Sequence, residues 1–155
     1  MTQQEKLSWK EELKAACENL LKTRIETSAL AMKHAQESAN SDDKSSAGDK
    51  YETSRAMGQR DSDMHAGQLE QATKDLEFIR TIQTTRLHQQ AGPGALIVCK
   101  DLIFFMALGL GATTIQGKKV ILLSPQAPLA GAMKLKKTGE RFLMNGKEME
   151  ILDVF

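Results

Sequence analysis

The hydrophobic pattern divides the chain into two parts with different periods. In the first part, residues 2–39 are rich in Glu, Lys, Leu and Ala, and a series of apolar or small residues recurs every three or four positions: Leu13, Ala16, Leu20, Thr23, Thr27 and Leu30. Residues 51–88 carry a clearer series of the same kind: Leu69, Ala72, Leu76, Ile79, Gln83 and Leu87. This spacing predicts two long helices with a coiled-coil seam.

Glycine and proline support the same division. All 3 prolines and 8 of the 11 glycines follow residue 90, so little interrupts a helix before that point. Residues 40–49, with the sequence NSDDKSSAGD, are polar and typical of a loop. We therefore predict helices over 3–39 and 50–88, joined by a loop at 40–49 into an antiparallel hairpin. An oligomerising coiled coil is the alternative interpretation of the same pattern.

After the sequence AGPG at 91–94, short β-branched and aromatic runs replace the helical period. Strands are predicted over 95–98, 102–106, 113–115, 118–123, 141–144 and 148–154, with one short helix over 127–133. Asn145 and Gly146 supply the two positive-φ positions of a type I′ turn. The fold class is therefore α+β: a long helical hairpin over 1–90 and a small, mostly antiparallel sheet domain over 91–155.

Composition and charge exclude several classes of protein. The net charge is +1, so the overall charge does not favour a nucleic-acid or membrane binder. Neither cysteine belongs to a CxxC pair, and the histidines show no metal-ligand spacing. The longest nearly apolar run, 102–112, is too short to cross a bilayer, and the first residues lack the apolar region of a signal peptide. We expect a cytoplasmic protein with buried, reduced thiols and with Trp9 packed between the hairpin base and the second domain.

The second half carries a specific resemblance. Residues 124–133, SPQAPLAGAM, and 136–140, KKTGE, resemble the pattern SPxAPLGxALLGKKxGD, and residues 142–152, FLMNGKEMEIL, resemble FNGxEYEIL. Both patterns, in this order and spacing, are those of the GreA/GreB transcript cleavage factors. The resemblance implies an FKBP-like sheet domain that binds RNA polymerase at the mouth of its secondary channel, with four candidate binding residues: Ser124, Pro125, Pro128 and Leu129.

The loop region resembles the same family. Residues 48–53, GDKYET, align with the sequence GDLxEN at the Gre hairpin tip. The resemblance implies that Asp49 and Glu52 are the acidic pair that helps the polymerase hold its second Mg²⁺ and hydrolyse backtracked RNA. Asp42 and Asp43 are secondary acidic candidates. Without the resemblance, Asp49 and Glu52 are typical first-turn residues that complement a helix dipole.

One departure keeps a second function open. Where the family continues with AEYHAAKE, residues 54–61 read SRAMGQRD. A Gre-like regulator that occupies the same channel without cleavage is therefore the alternative. In either case the resemblance implies a monomeric accessory factor with no catalysis of its own. It also implies no stably bound cofactor, Mg²⁺ shared with the polymerase, and RNA contact only within that complex.

Overall fold

A computed structural model describes the backbone of residues 1–41 and 48–155 and the side chains of residues 1–40 and 52–155. The chain is α+β, as predicted. The helices are α1 (Gln3–Ser41), α2 (Gly48–Thr81) and α3 (Pro128–Met133). The strands are β1 (Leu96–Val98), β2 (Ile103–Met106), β3 (Gly111–Ile115), β4 (Lys118–Leu123), β5 (Arg141–Met144), β6 (Lys147–Glu150) and β7 (Asp153–Val154). No helix in the described ranges is both long and apolar enough to cross a membrane.

The residue contacts divide the chain into two compact units. One unit combines Met1–Glu18 with Phe78–Phe155, and the other is Asn19–Glu77. The boundary predicted at residues 90 and 91 therefore does not coincide with the division that the contacts give. The difference arises because the first turns of α1 pack within the same unit as the sheet.

Helix α2 ends at Thr81, so the prediction that it continues to residue 88 is wrong. The Lys14 ammonium donates hydrogen bonds to the carbonyl oxygens of Arg80 at 3.1 Å and of Ile82 at 2.8 Å. A cation at a helix C-terminus stabilises the unsatisfied carbonyl groups there. The β-branched Thr84 and Thr85 also disfavour another helical turn.

On α1 the predicted seam is confirmed at Leu13, which is buried, but the rest of the buried face differs from the predicted one. Its buried positions are Trp9, Lys10, Leu13, Cys17, Leu21, Ser28 and Ala39. Leu20 is 36% exposed and Leu30 is 58% exposed, so neither belongs to the seam. On α2 the prediction is confirmed for Ala72, Leu76 and Ile79, which are buried. The predicted seam positions Gln83 and Leu87 lie beyond the end of the helix.

Within the unit 19–77 the two helix segments run antiparallel. Gly58 packs against Ala39 and Ala35, and Ser62 Oγ lies 3.4 Å from Gln36 Oε1. A Cβ atom added at Gly58 would lie 2.8 Å from Ala39 Cβ and 3.3 Å from Ala39 Cα. Glycine is therefore required at position 58 for the helices to approach this closely.

Two glycines of α2 give a matched prediction. Gly67→Ala should stabilise the protein by about 0.5–1 kcal/mol, because alanine favours a helix and nothing lies within 4 Å of the added Cβ. Gly58→Ala should lose this gain and cost about 1–3 kcal/mol through the contact with Ala39. Urea unfolding followed by circular dichroism measures both. Equal stabilisation by the two substitutions would show that the helices do not approach closely at position 58.

The five-stranded sheet has the order β3-β4-β2-β1-β7. All its neighbouring pairs are antiparallel except β2 and β4, which are parallel. β5 and β6 form a separate hairpin. The strand predicted over 148–154 is interrupted, because Ile151 turns into the core and β7 then pairs with β1 in the larger sheet.

Both tight turns form as the local sequence requires. Asn145 and Gly146 have φ values of 51° and 80°, as expected for a type I′ turn between β5 and β6. Gln116 and Gly117 repeat this conformation between β3 and β4, with φ values of 50° and 78°. Beneath the sheet, the Phe104 and Phe142 rings pack edge to face at a centroid distance of 6.4 Å. This contact joins the β5–β6 hairpin to the core of the larger sheet.

The start of α1 is joined to the sheet by polar contacts around a buried indole. Trp9 is 4% exposed, and its Nε1–H donates a hydrogen bond of 3.0 Å to Gln116 Oε1. Gln116 Nε2 in turn donates to Glu12 Oε1 at 2.9 Å. Lys6 forms a 2.7 Å ion pair with Asp153 and lies 5.1 Å from the centroid of the Phe155 ring. The predicted role of Trp9 as an anchor is confirmed.

A second set of contacts joins α1 to the segment after α2. Lys10 is buried, and its Nζ donates to the Arg86 carbonyl oxygen at 2.8 Å and lies 2.7 Å from His88 Nδ1. Burial lowers the pKa of Lys10 to about 8. Burial also lowers the pKa of His88, and the charges of Lys10 and Arg86 lower it further. His88 is therefore a neutral acceptor for the Lys10 ammonium at pH 7.

This arrangement predicts that acid destabilises the protein. The pKa of His88 is lower in the folded state than in the unfolded state, so the unfolded chain takes up a proton first as pH falls. The contribution of His88 to stability is complete above about pH 6.5 and decreases below it, at no more than about 1.4 kcal/mol per pH unit. His88→Asn keeps an acceptor for Lys10 and removes the titration. Urea unfolding between pH 5 and 7.5 should show a shallower pH dependence for this variant. An unchanged dependence would mean that His88 does not carry the effect.

Candidate functional site

The first candidate site is the start of α2. Glu52 lies in the second turn of this helix, four residues after Gly48, and its side chain is exposed. The side chain of Asp49 lies outside the described residues, and so do Asp42 and Asp43. Glu52 is thus the one member of the predicted acidic set whose environment is given by the structure.

The position of Glu52 suits contact with a metal held by another molecule. A carboxylate is a hard oxygen ligand of the kind that Mg²⁺ prefers, and Mg²⁺ commonly takes only one or two carboxylates while keeping several waters. Positions three residues apart on a helix lie on one face, so the backbone places 49 and 52 together. Among the side chains described, no group of three His, Cys, Asp or Glu residues is arranged to hold a metal ion by itself.

The second candidate site is the turn before α3, where the four predicted polymerase-binding residues lie. Ser124 Oγ donates to Gln126 Oε1 at 2.8 Å and accepts from the Gln126 backbone N–H at 3.2 Å. The Ala127 N–H donates to the Ser124 carbonyl oxygen at 3.0 Å. These bonds fix a turn that leads into α3, where Pro128 occupies the first helical position and needs no N–H partner.

The structure brings two of the four predicted residues into an apolar groove. Pro128 is exposed and Leu129 is half-buried, and both line a groove of about 410 Å³. Ser124 and Pro125 lie in the preceding turn and do not line it. The other lining residues are Ala127, Ala132, Leu143, Met144 and Asn145.

Leu143 is the large, exposed apolar residue among the lining residues that were not predicted from sequence. It is 62% exposed, whereas its neighbour Phe142 is buried at 4%. Alternation along a strand places successive side chains on opposite faces, so burial of Phe142 turns Leu143 outward. The sequence signal that could have identified Leu143 is a large apolar residue at a strand position that faces outward. We name the groove lined by Pro128, Leu129 and Leu143 the α3 groove.

The two thiols have the environment of structural cysteines. Cys17 and Cys99 are free and buried, as predicted. Burial, with a smaller effect from the Glu18 charge, raises the pKa of Cys17 to about 11, and burial also raises the pKa of Cys99. Both are therefore protonated near neutral pH, and a thiol in that state is a weak nucleophile.

Comparisons with known proteins add no family to this description. No protein-family model, no curated protein and no solved structure matches the chain.

Proposed function

We propose that this protein is a cytoplasmic, Gre-like transcription elongation factor that binds RNA polymerase through the secondary channel. In this proposal α1 and α2 form the hairpin that enters the channel, and the FKBP-like C-terminal domain remains at its mouth. The protein stimulates the polymerase's own cleavage of backtracked RNA and so rescues stalled complexes.

One observation carries the proposal. The stretch 124–152 that resembles the Gre pattern forms consecutive, mutually packed elements: a hydrogen-bonded turn, α3 and the β5–β6 hairpin. Met133 of α3 and Phe142 of β5 are buried in one core cluster. This packing leaves the α3 groove on the surface, which is the part of the domain that we propose contacts the polymerase.

The proposed chemistry is confined to the start of α2. Asp49 and Glu52 contribute carboxylate oxygens to the second Mg²⁺ of the polymerase and orient the attacking water. When bound, the metal pair supplies charge stabilisation for the attacking and leaving oxygens of phosphodiester hydrolysis. The exposure of Glu52 favours this role, because its carboxylate is free to meet a group on another molecule. The protein alone supplies only part of a site and is not an enzyme in this proposal.

A second candidate function is a Gre-like regulator that occupies the channel without cleavage. The observation that favours it is the sequence of residues 54–61, SRAMGQRD, which departs from the family pattern after Thr53. Ser54, Arg55 and Ala56 follow Thr53 on α2, and all three are exposed. Arg55 and Ala56 lie on the same helix face as Glu52 and would meet the channel together with it.

One experiment distinguishes the two functions. Backtracked elongation complexes of RNA polymerase from the source organism are incubated with Mg²⁺, with and without the protein, and the shortened RNA is measured. A cleavage factor accelerates release of 3′ fragments, whereas the alternative binds the polymerase and changes transcription without fragments. If the protein does not bind the polymerase, both proposed functions are excluded.

A further inference from the structure

Beyond the end of α2, the structure contains a small cleft that the proposed function does not use. Its volume is about 330 Å³, and it lies within the unit that includes Phe78–Phe155. Two of its side chains can carry positive charge, Arg86 and His88. The full lining is Thr81, Ile82, Gln83, Arg86, Leu87, His88, Pro93 and Gly94. We name it the basic cleft.

Further positive charge lies against the wall of this cleft. Lys10 of α1 is fully buried, and its Nζ lies 2.7 Å from His88 Nδ1. Lys14, one turn further along α1, donates to the carbonyl oxygen of Ile82, whose side chain lines the cleft. The charged groups that act on His88 are thus Lys10 from one side and Arg86 from its own segment, both cationic.

These cations have no anionic partner in the part of the chain that the structure describes. The Lys10 ammonium is bound by the Arg86 carbonyl oxygen and by an imidazole nitrogen, which are neutral groups. None of the ion pairs among the described side chains includes Lys10, Lys14 or Arg86. Lys10 is buried, and a buried charge in a protein is ordinarily paired with an opposite charge, because desolvation is costly. Arg86 is exposed, so its guanidinium is accessible to a ligand from solvent.

The pKa values of Lys10 and His88 are consistent with an excess of positive charge at the basic cleft. Burial lowers the pKa of Lys10. Burial also lowers the pKa of His88, the charges of Lys10 and Arg86 lower it further, and a hydrogen bond with the Pro93 backbone acts in the opposite direction. An anion in the cleft would offset this repulsion, since clefts lined by one sign of charge concentrate ions of the other. The guanidinium of Arg86 has the planar, multiple N–H donors that match phosphate oxygens.

We propose that the basic cleft binds a phosphate dianion, either inorganic phosphate or the end group of a phosphomonoester. Arg86 contacts the phosphate oxygens directly, and Lys10 and Lys14 supply positive potential from behind the wall. The side-chain amide of Gln83 is a further donor in the lining, whereas the Thr81 hydroxyl already donates to the Phe78 carbonyl oxygen at 2.6 Å. This inference does not depend on the proposed role in transcription.

The test uses the full chain at pH 7.5 with inorganic phosphate, AMP, and chloride at matched ionic strength. Calorimetry should show saturable binding of phosphate at one site and no saturable binding of chloride. Arg86→Gln should weaken phosphate binding about tenfold or more, the size of effect expected when a hydrogen bond between charged groups is lost. Arg60→Gln removes the same charge from an exposed position on α2 and should leave the affinity within about twofold.

A second readout follows the imidazole. In ¹⁵N NMR titrations of the wild-type protein, phosphate should raise the pH at which His88 takes up its proton, relative to chloride. Tighter binding of AMP than of inorganic phosphate identifies a phosphomonoester site, and the reverse order identifies a site for the free ion. The proposal is overturned if phosphate and chloride act alike on His88, or if Arg86→Gln binds phosphate as the wild type does.

Discussion

Replacing Glu52 with alanine is expected to lower stimulated RNA cleavage by at least about 100-fold, the scale found when one group that stabilises transition-state charge is removed. Binding to the polymerase should change by less than about 0.5 kcal/mol, because Glu52 is exposed and makes no core contact. The two effects separate because the carboxylate meets the metal only during the reaction. Cleavage assays and binding titrations on the same backtracked complexes measure them.

A matched control lies on the same helix face. Glu70 is 18 residues after Glu52, which corresponds to five helical turns. It is exposed and forms a surface ion pair with Lys74 that contributes about 0.5 kcal/mol or less. Glu70→Ala should therefore keep full cleavage. A similar loss in both variants would assign the effect to helix charge rather than to a metal contact.

Asp49→Ala should give the same loss of cleavage, but it is the less clean variant. Asp49 belongs to the first turn of α2, where a carboxylate complements the helix dipole, and its removal costs about 0.5 kcal/mol locally. Higher Mg²⁺ concentration should partly restore cleavage in either single variant, because mass action compensates for one missing ligand. If the wild-type protein binds polymerase and never stimulates cleavage at any Mg²⁺ concentration, the non-cleaving regulator is the better description.

The elements that the sequence predicted best are those determined by neighbouring residues. The strands β4 and β5 begin and end at the predicted residues, and the Asn145-Gly146 turn forms between β5 and β6. In these cases a few adjacent residues determine where the strand and the turn form: a β-branched or apolar run, followed by a pair of residues that adopts positive φ. The α+β class followed from the same local signals, together with the unequal distribution of glycine and proline.

The elements that were predicted poorly from the sequence depend on contacts between residues that are distant in sequence. At the end of α2, Lys14, more than 60 positions earlier, binds the carbonyl groups of Arg80 and Ile82 and so stabilises the helix terminus at Thr81. The face of α1 was misassigned because Cys17 and Ser28 are buried while the larger Leu20 and Leu30 are exposed. A seam built from small residues gives a weak periodic signal, so the partner helix determines the face.

In the candidate sites, too, the features set by local sequence were predicted and the features set by tertiary packing were not. The motif at residues 124–133 identified Pro128 and Leu129, but the α3 groove also needs Leu143, which β5 brings beside α3. The packing of a helix against a strand that follows it by several residues is a tertiary property, and no spacing rule predicts it. The acidic pair was predicted from residue types in the sequence, and the structure adds the exposed position of Glu52 on α2.

Replacing Trp9 with alanine should destabilise the protein by about 3–5 kcal/mol, the usual cost of removing a buried aromatic side chain. That is a large fraction of the ~5–15 kcal/mol by which a typical domain is stable. The loss combines the cavity left by the indole and the loss of its hydrogen bond to Gln116. Leu143→Ala, at a position that is 62% exposed, is the control and should change stability by no more than about 0.5 kcal/mol.

The contacts of Trp9 also predict which backbone becomes mobile. The indole joins α1 to the turn between β3 and β4 within one compact unit, so its removal should release the first turns of α1 while most of the sheet remains folded. Hydrogen exchange should accelerate at residues 3–18 more than in β1 and β2, because local opening follows the loss of buried apolar contacts. If Trp9→Ala costs less than about 1 kcal/mol and exchange at residues 3–18 is unchanged, the start of α1 does not depend on the sheet. Trp9 would then not stabilise the packing of Met1–Glu18 within the compact unit that contains the sheet.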